Sequence, residues 1–114
     1  MNKLILTTTL LTFLTSLQSQ TMHIVNAGNY YYQPSELSIN QGDSVRFIND
    51  SGYHDVVVTL GPENLSLPAC SGPCDIGVLV FNTPGEYEYI CSIGSHSSLV
   101  MVGTITVSET DEIF

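Results

Sequence analysis

Glu86-Tyr87-Glu88-Tyr89-Ile90-Cys91 and, past a short loop, Met101-Val102-Gly103-Thr104-Ile105-Thr106-Val107 decide how this chain folds. Successive side chains of a strand point to opposite faces. Tyr87, Tyr89 and Cys91 therefore share one face, and Glu86 and Glu88 the other. Glutamates belong in water, so Cys91 points inward at the end of its strand. On the second segment Met101, Gly103, Ile105 and Val107 share a face opposite Thr104 and Thr106, which turns Met101 inward too. The loop between them carries His96, and the three residues fall at a Cys-x4-His-x4-Met spacing.

Outward from this pair, short strand-like segments alternate with turn residues, the pattern of an all-β sandwich. Strands are expected near His23–Asn26, Glu36–Ile39, Ser44–Asn49, Asp55–Leu60, Gly77–Phe81, Glu86–Cys91 and Val100–Val107, about seven to eight in all. Asn40-Gln41-Gly42-Asp43, Asp50-Ser51-Gly52, Gly61-Pro62 and Thr83-Pro84-Gly85 punctuate them. Gly61–Asp75 reads as the longest irregular insertion. Six Tyr, four Phe and many Val, Ile and Thr suit the β class.

At 114 residues there is room for one domain. Residues 1–20 read as a secretory signal: Asn2-Lys3, an apolar stretch from Leu4 to Leu17, then Gln18-Ser19-Gln20, with cleavage near Ser19 or Gln20. A single domain over residues 21–114 would remain. The stretch is short for a membrane span, which needs about 20 apolar residues, so no membrane insertion is expected. Two basic residues stand against eleven acidic ones. With Lys3 removed, Arg46 is the only Lys or Arg left. Such a surface repels nucleic acid and steers toward partners with basic docking surfaces.

His54 precedes a strand on which Val56, Val58 and Leu60 are expected on its own face. Three segments thus deliver His54, Cys91, His96 and Met101 to one end of one core. Taken singly, Cys91 reads as a buried free cysteine and Met101 as core filling. Together, two imidazoles, a thiolate and a thioether form the ligand set of a blue-type copper site, with the thioether as a weak axial ligand. His54 needs its second ring nitrogen held, by a backbone carbonyl or water, to fix its tautomer. His96, in a loop of small residues, is the expected route for electrons to and from the surface. If cleavage follows Gln20, Thr21-Met22-His23 could also bind Cu(II) at the free amine.

On these residues the chain resembles the cupredoxins, the small blue copper proteins of the plastocyanin and azurin kind. The resemblance includes Pro34-Ser35-Glu36-Leu37-Ser38-Ile39 with Gly42-Asp43-Ser44-Val45-Arg46-Phe47, then Asn49 and His54, then Thr83-Pro84-Gly85-Glu86-Tyr87 leading to Cys91. The ligand-loop spacing is similar to that of plantacyanin-type, auracyanin and rusticyanin members. It implies a Greek-key β-sandwich, one copper ion cycling between Cu(I) and Cu(II), and His54, Cys91, His96 and Met101 as ligands. Family members often carry Asn directly after the first ligand histidine, where this chain has Asp55. Asp55 could still accept a hydrogen bond from Ser92, and its charge would favour Cu(II). Cys70 and Cys74 read as a local disulfide of an oxidising compartment. A second thiolate metal site there would lack a nearby third ligand.

The function expected is that of a periplasmic or secreted, monomeric type 1 copper protein. It would pass single electrons between redox proteins such as cytochromes or copper oxidoreductases and catalyse nothing itself. A periplasmic copper-binding or delivery protein is the alternative, and a metal-free adhesion sandwich a third reading.

Overall fold

The computed structural model describes residues 20–110. The expected leader and its cleavage bond lie outside that span except for Gln20. Nine strands form among the described residues: β1 (Met22–Gly28), β2 (Tyr31–Gln33), β3 (Glu36–Asn40), β4 (Ser44–Asn49), β5 (Tyr53–Leu60), β6 (Ser66–Ser71), β7 (Cys74–Val80), β8 (Gly85–Ile90) and β9 (Val102–Ser108). A short 3-10 turn, Ser97–Leu99, precedes β9. No helix among the described residues is long and apolar enough to cross a membrane.

The strands make a four-stranded sheet, ordered β2-β1-β4-β7, and a five-stranded sheet, ordered β3-β9-β8-β5-β6. β1 runs parallel to β4 and β3 parallel to β9, while the other pairs are antiparallel. The chain changes sheet between β2 and β3, β3 and β4, β4 and β5, β6 and β7, and β7 and β8. This is a two-sheet β-sandwich, the architecture that the resemblance implied. Period-two alternation fills it: Val45, Phe47 and Asn49 of β4 face in, and Ser44, Arg46 and Ile48 face out. On β8 and β9, Tyr87, Tyr89, Ile105 and Val107 are buried, the facing expected from the glutamates and threonines opposite them. Tyr32 and Phe47 meet Tyr89 edge to face at centroid distances of 4.7 and 5.4 Å, contacts worth about 0.5–1.5 kcal/mol each beyond burial.

Where the strands depart from expectation, edges and bulges explain it. β2 is a three-residue edge strand, too short to show periodicity. β6 forms inside the stretch expected to be irregular. It is an edge strand paired only with β5, where Pro68 is tolerated because one side of the ladder is open. On β5 the register shifts between His54 and Val56 against β6, and between Val58 and Leu60 against β8. A bulge adds a residue and resets facing. His54, Asp55 and Val56 are therefore all buried in succession, and Leu60, expected inside, is 60% exposed. Val100 lies outside β9, at a φ of 72°.

Cys70 and Cys74 are joined by a disulfide. It closes a short loop in sequence, yet it ties β6 of one sheet to β7 of the other. At the opposite end of β1, buried Asp43 accepts hydrogen bonds from Thr21 N at 3.0 Å and Asn40 N at 3.0 Å, and pairs with His23 Nε2 at 2.9 Å. Both groups that an amino-terminal copper site would use, the Thr21 nitrogen and the His23 ring, are thus engaged by Asp43.

Candidate metal centre

Three segments bring the site together. β5 supplies His54, the end of β8 leads into Cys91, and the loop before β9 supplies His96 and Met101. The Nδ1 of His54 stands 3.7 Å from Cys91 Sγ, and the Nδ1 of His96 stands 3.4 Å from it. The three donor atoms all lie within 4.8 Å of one another. His54, Cys91 and Met101 are fully buried, and His96 is half-buried. Backbone bonds set the loop: Cys91 N donates to Met101 O, and Met101 N donates to His96 O at 3.1 Å. Each candidate from the sequence therefore reaches the same end of the core.

Burial holds the His54 imidazole below its ordinary range, and the neighbouring His96 adds to that effect. A neutral ring is what a metal ligand requires. Burial pushes the Cys91 thiol up, against hydrogen bonds from the backbone around Asp55 and Ile93. A metal ion taken up by this sulfur would have to displace its proton. Tyr32 closes the inner wall, its hydroxyl donating to Asp55 O at 2.6 Å.

Asp55 turns inward. Its Oδ1 accepts from Ser92 N at 2.7 Å and its Oδ2 from the Ser92 hydroxyl, which ties the β5 segment to the Cys91 loop. Asn49, also buried, does similar work behind His54. Its Nδ2 donates to Gly52 O at 2.7 Å and to Cys70 O at 3.0 Å. The His54 ring has a side-chain partner beyond the backbone partner expected. Nε2 donates to the side-chain Oδ1 of Asn29 at 3.0 Å, and the Ser51 backbone also hydrogen-bonds the ring. Gly52 makes room for that bond: a Cβ there would collide with Asn29 Oδ1 and lie 2.6 Å from His54 Nε2. Tyr30 covers His96, with ring centroids 4.6 Å apart.

Sequence reasoning did not find Asn29 or Tyr30, and took Gly52 only as turn punctuation. Asn29 is 25 residues from its partner in sequence. The one local signal was a polar Asn-Tyr step after the β1 run.

Residues 19–108 match the family described as copper binding proteins, plastocyanin/azurin family. The chain belongs to this family. Among its relatives, a plastocyanin of Prochlorothrix hollandica is 39% identical over 83 residues, covering 67% of this chain. The chain spans about 62% of that relative's length. Among solved structures, a copper-containing nitrite reductase from Thermus scotoductus SA-01 superposes with a TM-score of 0.63 at 31% identity, over 78% of this chain and 23% of the enzyme. An oxidised mutant of amicyanin superposes with a TM-score of 0.63 at 25% identity, over 76% of this chain and 82% of its own.

The cofactor of this cupredoxin is copper, and the donor set fits it. Two imidazole nitrogens and one thiol sulfur converge beside a buried thioether side chain, the arrangement of a type 1 site. Harder cations that favour oxygen ligands find no carboxylate in the trio.

Proposed function

We propose that the protein is an exported electron carrier in which His54, Cys91, His96 and Met101 hold one copper ion. Bound copper would supply a one-electron couple between Cu(I) and Cu(II). The observation that carries this reading is the convergence of His54 Nδ1, Cys91 Sγ and His96 Nδ1 within 4.8 Å, already assembled in the folded chain. A site so prepared needs little rearrangement when its charge changes, which suits repeated electron transfer better than metal release.

In this reading Cys91 would give the thiolate, His54 and His96 their Nδ1 nitrogens, and Met101 a weaker thioether sulfur. Asp55 and Ser92 keep the two ligand segments together. His96 is the way to the surface, beside the exposed ring of Tyr30 and in the same loop as exposed Leu99 and Val100. Arg46 is the only Lys or Arg among the described residues, and it pairs with Asp75 at 2.9 Å. The acidic surface would steer toward basic patches on cytochromes or copper oxidoreductases, at rates that fall with salt. Export to the periplasm or beyond, after removal of residues 1–20, is supported by the apolar leader sequence and by a disulfide of the kind oxidising compartments preserve.

Cu(II) added to the reduced apo protein tests the reading. An intense visible thiolate band that Cys91→Ser abolishes is expected, with electron self-exchange much faster than copper exchange. No band, or a spectrum that Cys91→Ser leaves unchanged, would overturn it.

A further inference from the structure

The turn between β1 and β2 touches both imidazoles at once. Asn29 Oδ1 accepts from His54 Nε2 at 3.0 Å. The ring of Tyr30, the next residue, lies 4.6 Å from the His96 ring and stands edge-on to His54 at 6.3 Å. We propose that Asn29 and Tyr30 are positioning residues, a clamp by which this turn fixes the tautomer of one copper-facing imidazole and the orientation of the other. The proposal rests on the copper reading of the site.

Neither residue is needed to fill the core. Both are exposed, Tyr30 to 44%, yet the Asn29 amide reaches a fully buried ring and the Tyr30 ring lies against a half-buried one. An amide oxygen only accepts. Its partner Nε2 must therefore carry the proton, which leaves the lone pair of Nδ1 pointing toward Cys91 Sγ, 3.7 Å away. Without that acceptor the ring keeps only its Ser51 backbone bond, so its tautomer and orientation are held less firmly and copper would have to select one. Tyr30 limits rotation of His96, whose immediate neighbours in the loop, Gly94, Ser95, Ser97 and Ser98, are small. β1 and β2 belong to the four-stranded sheet and His54 to the five-stranded one, so the clamp also crosses the sandwich at the site. Gly52, lacking a Cβ, leaves the space in which the Asn29 bond forms.

The test uses the full protein and Asn29→Leu, Asn29→Asp, Tyr30→Ala and Tyr30→Phe. Copper affinity is read by chelator competition, the site by paramagnetic resonance, and the apo protein by melting and by nitrogen shifts of His54. Asn29→Leu should weaken Cu(II) binding about 10–100-fold, the usual cost of losing a partner behind a ligand histidine. It should also alter the copper hyperfine splitting and give mixed His54 tautomers in the apo protein, with melting near the parent's. Asn29→Asp, which keeps an acceptor, should restore affinity and lower the reduction potential. Tyr30→Ala should speed copper loss to the chelator several-fold, and Tyr30→Phe should not. If the parent shows the thiolate band but Asn29→Leu matches it in affinity, spectrum and tautomer, the clamp is overturned and the copper reading stands. If the parent shows no band, the copper reading falls and takes the clamp with it.

Discussion

Replacing Gly52 by alanine should harm both stability and copper binding, and Gly94→Ala supplies the control. Both glycines have positive φ, 86° and 49°, so each alanine carries the left-handed cost of about 1–2 kcal/mol. Each also restricts the unfolded chain by a similar amount, which cancels between the two variants. They differ in what the new methyl meets. At Gly94 nothing lies within 4 Å, whereas at Gly52 the methyl collides with Asn29 Oδ1 and comes within 2.6 Å of His54 Nε2. Forcing an extra methyl into packed space costs about 1–3 kcal/mol. Gly52→Ala should therefore cost about 2–5 kcal/mol in total. For a domain of this size that lowers the apo melting temperature by at least about 8 °C. Gly94→Ala should cost about 1–2 kcal/mol. Because the methyl must part Asn29 from His54, Gly52→Ala should also weaken Cu(II) binding about 10–100-fold. Thermal melts of both apo variants and chelator competition measure this. Equal destabilisation by the two alanines, or undiminished copper affinity in Gly52→Ala, would refute the reasoning.

Met101→Leu keeps volume in a fully buried site and should cost less than about 1.5 kcal/mol of apo stability. It should change potential and visible spectrum more than copper affinity, as voltammetry and chelator competition would show. Asp55→Asn removes a buried negative charge whose carboxylate accepts from Ser92. Its reduction potential should rise above the parent's. Replacing Cys70 and Cys74 together with serine opens a loop whose ends are four residues apart. The loss expected from chain entropy is about 2 kcal/mol, read by denaturant unfolding. Burial pushes the Asp43 carboxyl up, but the hydrogen bonds from His23, Thr21 N and Asn40 N outweigh it and hold it below the usual range. A lowered native pKa gives stability that is complete above about pH 4 and is lost as pH falls through the native value. Asp43→Asn should therefore be less stable at neutral pH and lose less on acidification, in melts run from pH 7 down to pH 2.

The sequence by itself determined the donor types and the inward facing of two of them. Cys91, His96 and Met101 lie in one loop, and the alternation of Glu86 and Glu88 with Tyr87 and Tyr89 states which side is wet. Such patterns are local, so they survive in the linear chain. Facing along β5 was legible at His54, Val56 and Val58 but not at Asp55 and Leu60, because two bulges reset the alternation and sent Asp55 inward and Leu60 out. β2 and β6 were missed for a related reason. β2 has only three residues and β6 carries Pro68 and no fully buried side chain, and as edge strands their pairing depends on a neighbour already in place. The disulfide could be paired from its spacing, but not its span between the two sheets. Only the tertiary structure decided what stands behind the imidazoles. Asn29 and Tyr30 reach His54 and His96 across long stretches of chain, through contacts that exist only once the two sheets have closed on each other.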